Sequence, residues 1–234
     1  MGVKDADRVG MVQFHQSYCY EDFIMGFRPT EAGFELKKGL FYEFCHKAKE
    51  DPDRDYFFII DEINRGNLSK IFGELFMLIE GDKRGEALQL LYTTEPFSIP
   101  EKVYIIGMMN TADRSLALLD YALRRRFAFF EMAPAFESSR FKAYQSQLNN
   151  PKFDCLIAVV KELNDAITAD DSLGKGFCIG HSYLFKSDYE ASPVTDDWMQ
   201  SVVEFELIPL LQEYWFDEAD KVEYWRNALQ KAIE

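Results

Sequence analysis

The sequence predicts an α/β fold, a parallel sheet packed between helices, followed by an all-helical part. Two apolar runs support this prediction, at residues 56–60 and 103–109, and neither shows polar alternation. Strands of this kind are covered on both faces, as in parallel sheets. A third observation is that helical periodicity dominates after Pro134. We therefore expect an α/β subdomain at residues 1–134 and a helical subdomain at 135–234.

Apolar spacing and breaker residues place the elements of the first part. Asn67 is suited to cap a helix, and the Asp51-Pro52-Asp53 break ends the helix before the central strand. The predicted strands lie at 8–14, 56–60, 103–109 and 127–131. The predicted helices lie at 21–24, 40–50, 68–79 and 116–123. Turn residues indicate a hairpin at 82–100 and a turn or hairpin edge at 34–39.

The second part shows apolar residues at helical spacing in four long segments. These predict helices at 136–148, 153–169, 196–215 and 218–233. A glycine-rich connection at 174–182 separates the second helix from the third.

Composition excludes several classes of protein. The chain has 234 residues, 47% of them apolar and 15% aromatic, which is typical of a globular protein. The net charge of −14 excludes a protein that holds duplex DNA through its own overall charge. The four cysteines form no C-x-x-C pair, and no run is long and apolar enough for a membrane span. We expect a cytoplasmic protein with reduced thiols.

Two adjacent carboxylates, Asp61 and Glu62, end the central apolar run. At the carboxyl end of a parallel strand they face the crevice in which α/β sheets bind ligands. One carboxylate can bind Mg²⁺ and the other can polarise a water, which is the chemistry of a Walker B strand. The alternative is a plain strand that ends in a solvated acidic turn.

The second apolar run also ends in polar residues, Asn110 to Ser115. If the two strands are neighbours, Asn110 lies beside Glu62 and can orient the attacking water. The alternative is that Asn110 and Asp113 form an Asx-turn and cap the following helix.

Three consecutive arginines, Arg124, Arg125 and Arg126, precede the last predicted strand. One of them can act as an arginine finger that reaches a phosphate in a neighbouring subunit. The alternative is a solvated basic turn. The three histidines show no zinc-ligand spacing.

Four segments together resemble one family. They are D-E-I-N-R at 61–65, N-L-S-K-I-F-G-E at 67–74, M-N-T-A-D-R-S at 109–115 and D-Y-A-L-R-R-R-F at 120–127. This set is similar to the McrB family, the GTP-hydrolysing AAA+ motor subunits of methylcytosine-specific McrBC restriction systems. The M-N-T-A-D-R-S segment is the most specific match.

The resemblance implies an AAA+ type P-loop NTPase sheet with a helical lid subdomain. It implies that Asp61 holds Mg²⁺, that Glu62 is the catalytic base and that Asn110 is the sensor, with Asp113 beside it. Arg125 and Arg126 match the finger region that acts on a neighbouring subunit, and Arg124 is a weaker candidate. The nucleotide implied is GTP; because the N-K-x-D guanine motif is absent, ATP stays open.

The resemblance also implies partners. The family assembles as hexameric rings on which the nuclease subunit McrC docks, and a separate N-terminal domain reads the DNA. We expect the same assembly here, with DNA contacted only through such a domain or a partner.

The main departure from the family is that G-x-x-x-x-G-K-[ST] occurs nowhere in the sequence, and Cys178 also interrupts the glycine-rich connection. A P-loop of that form holds the phosphates of the nucleotide. We expect a chain truncated before its first strand and P-loop, with an unpaired strand edge, an uncovered sheet face and marginal stability. A hydrolysis-deficient assembly subunit is the alternative function. A metal-dependent nuclease using Asp22, Glu35 and Lys37 is a third.

Overall fold

The structure is a computed structural model that describes residues 6–110, 112, 124–187 and 193–234. It divides into two compact units, residues 1–129 and 130–234. Pro134 lies in the irregular segment that begins the second unit.

The first unit contains seven strands and three helices within the described residues. The strands are β1 (Val9–Gln13), β2 (Met25–Thr30), β3 (Gly33–Lys38), β4 (Tyr56–Asp61), β5 (Ala87–Gln89), β6 (Pro96–Ser98) and β7 (Val103–Gly107). The helices are α1 (Tyr20–Phe23), α2 (Leu40–Lys49) and α3 (Leu68–Phe72).

The two apolar runs and the short strand before them form one parallel sheet in the order β1-β4-β7. The predicted strands at 8–14, 56–60 and 103–109 are therefore confirmed to within a few residues. Two antiparallel hairpins, β2-β3 and β5-β6, lie outside this sheet, and they confirm the hairpins predicted near 34–39 and 82–100.

One face of the sheet is buried. Phe58 on β4 is 2% exposed, and its ring lies 5.0 Å from the rings of Phe41 and Phe44 on α2. Phe23 on α1 and Phe72 on α3 pack edge-to-face in the same aromatic core. Each fully buried ring of this size contributes about 2–3 kcal/mol through the hydrophobic effect. This packing holds the strand end that carries Asp61.

The opposite face of the sheet is open within the described residues. Register pairs place Met11, Ile59 and Ile106 in one row across the three strands. Met11 is 59% exposed and Ile106 is 44% exposed, and Tyr104 beside them is 48% exposed. β7 is also an edge strand of the described sheet. In the part of the chain that the structure describes, the uncovered face and open edge expected from the sequence are both present, whereas marginal stability stays a prediction.

The structure corrects two predicted elements of the first unit. Residues 127–131 form no strand, because no described strand lies beside them to pair their backbone groups. The helix predicted over 68–79 ends at Phe72, where Gly73 takes a left-handed φ of 53°, and a 3-10 turn (Gly73–Met77) continues the chain. The predicted helix at 116–123 and Asp113 lie outside the described residues.

The second unit is helical in its described part. Its helices are α4 (Ser139–Leu148), α5 (Pro151–Ala169), α6 (Asp196–Val202), α7 (Ile208–Tyr214) and α8 (Ala219–Ile233). The single helix predicted over 196–215 is interrupted by a π-helical turn (Val203–Leu207). None of the helices in the described residues is long and apolar enough to cross a bilayer.

Hydrogen bonds and an ion pair hold the segment that follows α5. The buried Asn164 side chain accepts from the Ile179 amide at 2.6 Å and donates to the Ile179 carbonyl at 3.0 Å. Asp170 at the end of α5 accepts from the Trp215 indole at 2.8 Å and pairs with Lys221 of α8. Hydrogen bonds from Lys221, Ser172 and Trp215 hold the pKa of Asp170 well below its usual range.

Candidate functional site

The site begins where β4 ends. Asp61 is the last residue of the strand, and Glu62 turns the chain sharply with a left-handed φ of 50°. For a residue other than glycine, such a backbone conformation costs about 1–3 kcal/mol, and residues with strain of this kind cluster at functional sites. The turn points the Glu62 amide back at the Asp61 carboxylate, where it donates to Oδ1 at 3.0 Å.

The end of β7 lies directly beside this turn. The Met108 amide donates to the Ile60 carbonyl at 2.8 Å, and the Ile63 amide donates to the Met108 carbonyl at 2.9 Å. The Asn64 side chain then donates to the Asn110 carbonyl at 3.5 Å. Asn110 therefore emerges next to the acidic pair, at the carboxyl edge of the same sheet.

The Asn110 side chain also makes the local contact that the alternative reading describes. Its Oδ1 accepts from the Ala112 amide at 3.0 Å, which is an Asx-turn. The side chain is exposed, and this bond uses its oxygen rather than its amide nitrogen. The turn therefore orients the Asn110 amide group without consuming its N–H donors.

The Glu62 carboxylate is held by one cation. Arg65 Nε lies 3.1 Å from Glu62 Oε2, with the Glu62 side chain 21% exposed. The N–H is not aligned as a hydrogen bond, so Oε2 is buried without a hydrogen-bond donor. This oxygen is therefore an acceptor that no described donor satisfies.

The donor set at this edge fits a magnesium ion. Asp61 and Glu62 supply hard carboxylate oxygens, and Mg²⁺ prefers such ligands together with several waters and nucleotide phosphates. Within the described residues no group of three or more His, Cys, Asp or Glu forms a ready-made metal site. The protein thus offers the one or two carboxylates that Mg²⁺ takes when phosphates complete its shell.

The three arginines differ in their environment. Arg126 pairs with Glu80 at 2.7 Å and lies 4.3 Å from the centroid of the Phe76 ring, with its side chain 17% exposed. Arg125 is exposed, as is Arg124, whose guanidinium lies 6.0 Å from the Phe129 ring. Arg126 is therefore fixed inside its own unit, and Arg125 faces solvent.

Sequence similarity identifies the family of the chain. Residues 4–127 match the AAA domain (dynein-related subfamily) over more than half of the chain. The chain belongs to the AAA family. Residues 155–223 match the alpha-helical lid domain of McrB. The predicted fold class, an AAA-type P-loop NTPase sheet followed by a helical lid, is confirmed, and so is the resemblance to McrB.

Two relatives of this AAA chain are restriction proteins. The chain is 50% identical over 236 residues to the "Type IV methyl-directed restriction enzyme EcoKMcrB subunit" of Escherichia coli (strain K12), covering 97% of this chain and 51% of that protein. It is 28% identical over 124 residues to the "Type II restriction enzyme BsuMI component YdiS" of Bacillus subtilis (strain 168), covering 47% and 36% respectively. The AAA chain thus spans about half the length of the first relative and about a third of the second.

The nuclease alternative finds little support in the AAA domain. Asp22 bonds to Arg28, to the Cys19 thiol at 3.0 Å and to the Cys19 amide at 3.3 Å. Its carboxylate oxygens are therefore occupied by a cation and two donors. Glu35 and Lys37 lie exposed on β3, where Glu35 is in register with Arg28.

Two residues of the candidate site were not predicted from the sequence. Gln13 donates to Asp61 Oδ2 at 3.2 Å, and Asn64 bridges to the Asn110 carbonyl. The signal for Gln13 is its position at the end of β1, in parallel register with Asp61. Asn64 lies within the D-E-I-N-R segment, but spacing alone does not show which strand its side chain meets.

Proposed function

We propose that this chain is the nucleotide-hydrolysing AAA+ motor subunit of a McrBC-type, modification-dependent restriction endonuclease. The observation that supports this most is the meeting of Asp61, Glu62 and Asn110 at the carboxyl edge of one parallel sheet. That edge is where α/β folds bind phosphates. Similarity to McrB over 97% of the chain adds the restriction context.

In this proposal each side chain has a separate role. Glu62 accepts the proton of a water as the water oxygen attacks the γ-phosphorus and the bond to the β-phosphate oxygen breaks. Asn110 donates an N–H to that water, and Asp61 is the Mg²⁺ ligand. The bound ion supplies positive charge against the phosphates. Asp113 lies outside the described residues, and its place beside the sensor stays a prediction.

The larger assembly is part of the same proposal. By similarity to McrB we propose a hexameric cytoplasmic ring, a McrC-like nuclease partner and use of the hydrolysis energy to move DNA. GTP is the proposed nucleotide, with ATP as the competitor. The two proposed subdomains are residues 1–134, the α/β part, and residues 135–234, the lid.

A second candidate function rests on a specific observation, the absence of G-x-x-x-x-G-K-[ST] from the sequence. A P-loop supplies backbone amides and a lysine that hold the β- and γ-phosphates, and a subunit without them binds these phosphates weakly. It would then act as an assembly subunit that keeps the contacts of a ring but does not hydrolyse nucleotide.

Titration with fluorescent mant-GTP and mant-ATP separates the two functions. The first function predicts Mg²⁺-dependent binding of mant-GTP, with mant-ATP weaker, and loss of the Mg²⁺ dependence in Asp61→Asn. The control is Asp53→Asn, an exposed carboxylate on the turn before β4, which should bind as the unsubstituted chain does. No binding of either nucleotide by the unsubstituted chain would favour the assembly subunit.

The environments of the arginines predict different effects for Arg125→Ala and Arg126→Ala. Arg125→Ala should leave the melting temperature unchanged but lower hydrolysis in the assembled ring by roughly 10³–10⁵, the range measured for arginine fingers. Arg126→Ala should destabilise the first unit by about 1 kcal/mol or more, because it removes the cation–π contact with Phe76 and the pair with Glu80. Calorimetry measures the change in melting temperature, and phosphate-release assays measure hydrolysis. A fall in melting temperature for Arg125→Ala but not for Arg126→Ala would contradict the assignment of Arg125 as the arginine finger.

A further inference from the structure

The last register pair of β1 and β4 joins Gln13 to Asp61. Partners in a parallel pair point to the same side of the sheet, so both side chains lie at the open face, at its carboxyl edge. The Phe14 amide donates to the Asp61 carbonyl at 2.9 Å, which continues the ladder past Gln13 and fixes its backbone beside Asp61.

Two neutral N–H donors hold the Asp61 carboxylate. Gln13 Nε2 donates to Oδ2 at 3.2 Å, and the Glu62 amide donates to Oδ1 at 3.0 Å. An ionised carboxylate has about four lone-pair positions. Each oxygen therefore keeps one position for another ligand, while the two donors determine the plane of the carboxylate.

The type of donor at position 13 matters for what the carboxylate can bind. A lysine or arginine here would neutralise Asp61 and compete with a cation for it. A glutamate would repel Asp61. The glutamine amide orients the carboxylate and leaves its negative charge in place for a divalent cation.

The Gln13 contact adds little to the stability of the fold. Gln13 is exposed, and an exposed hydrogen bond is exchanged readily for one to water. Metal ligands in proteins are commonly oriented by hydrogen bonds from neighbouring side chains, and Gln13 makes such a bond to Asp61, the proposed ligand.

We infer that Gln13 is a positioning residue for the magnesium site: its amide fixes the carboxylate of Asp61 for a divalent cation. This inference rests on the proposed function, since it assumes that Asp61 is a metal ligand. Loss of a bond of this kind typically lowers metal affinity by about 10–100-fold.

The test uses Mn²⁺ alone as a probe of the full chain, followed by paramagnetic broadening of backbone amide NMR signals. In the unsubstituted chain, Mn²⁺ should broaden the signals of Gln13, Asp61 and Glu62. Gln13→Leu should need about ten times more Mn²⁺ for the same broadening. The matched control is Gln16→Leu, the same change three residues on at another exposed glutamine, which should respond as the unsubstituted chain does.

A second measurement separates positioning from a structural role. Gln13→Leu should leave the melting temperature unchanged, and in the assembled ring it should raise the Mg²⁺ needed for half-maximal hydrolysis about ten-fold with a much smaller change in kcat. Unchanged Mn²⁺ broadening in Gln13→Leu, or a lowered melting temperature, overturns the inference.

Asp61→Asn distinguishes failure of this inference from failure of the proposed function. If Asp61→Asn abolishes the broadening and Gln13→Leu does not, the role of Gln13 alone is refuted. If Asp61→Asn retains the broadening, or the unsubstituted chain shows none near Asp61, the proposed metal site fails and the inference fails with it.

Discussion

Glu62→Gln should lower nucleotide hydrolysis by about 10²–10⁴-fold, the usual contribution of a general base, while nucleotide binding stays within a few-fold of the unsubstituted protein. Glutamine matches glutamate in size but does not take a proton from water at neutral pH. The change also removes the ion pair with Arg65, which is partly exposed and so contributes little to stability. Phosphate release at saturating Mg²⁺ and nucleotide, in the assembled ring, measures the effect.

The matched control for Glu62→Gln is Glu35→Ala. Glu35 is a carboxylate on the exposed β3 strand, and it belongs to the nuclease alternative. We expect its loss to leave hydrolysis unchanged. Full activity in Glu62→Gln would remove the proposed base, and loss of DNA cleavage in Glu35→Ala with normal hydrolysis would revive the nuclease reading.

Phe58→Ala should cost about 3–5 kcal/mol of the unfolding free energy of the first unit, as expected for a large core side chain cut to alanine. Phe58 is 2% exposed, and its ring packs against Phe23, Phe41 and Phe44 at 5.0–5.8 Å between centroids. The ring also lies close against the β1 backbone, since a Cβ added at Gly10 would come within 2.8 Å of Cδ2 of Phe58. Urea unfolding, monitored separately for the two units, measures the loss.

Phe57→Ala is the control from the adjacent position. Phe57 points to the open face of the sheet, is half-buried and stacks on Tyr104 at 5.4 Å between centroids. We expect it to cost less than about 1.5 kcal/mol, because only part of its apolar surface leaves water on folding. Equal losses for Phe57→Ala and Phe58→Ala would show that the Phe57 face is covered in solution.

Three of the four strands predicted in the first part were confirmed, whereas the strand at 127–131 and the full length of the helix at 68–79 were not. The runs at 56–60 and 103–109 consist, apart from Gly107, of aliphatic, aromatic and methionine side chains, and their strands form where this local pattern predicts them. The run at 127–131 has a similar composition, yet it forms no strand, because strand formation needs a neighbour to pair with. The helix at 68–79 was cut short by the left-handed conformation of Gly73, which spacing alone does not reveal.

For the candidate site, the chemical groups were evident from the order of residues. A long apolar run followed by Asp61 and Glu62 requires that the carboxylates lie at a strand end, because charged groups are not buried in mid-strand. The similarity to McrB supplied the proposed roles. The strain at Glu62 and the difference between Arg125 and Arg126 depend on backbone turns and on Glu80, which lies far from the arginines along the chain.

Residue order was therefore enough to establish an α/β part, a helical part and an acidic strand end, since all three follow from periodicities that neighbouring residues impose on one another. Contacts between distant segments had to be seen in three dimensions. These contacts are the hydrogen bond from Gln13 to the Asp61 carboxylate, the hydrogen bond from Asn64 to the Asn110 carbonyl, and the ion pair of Arg126 with Glu80. The physical reason is that strand register and side-chain pairing depend on how separate elements pack, which no local pattern encodes.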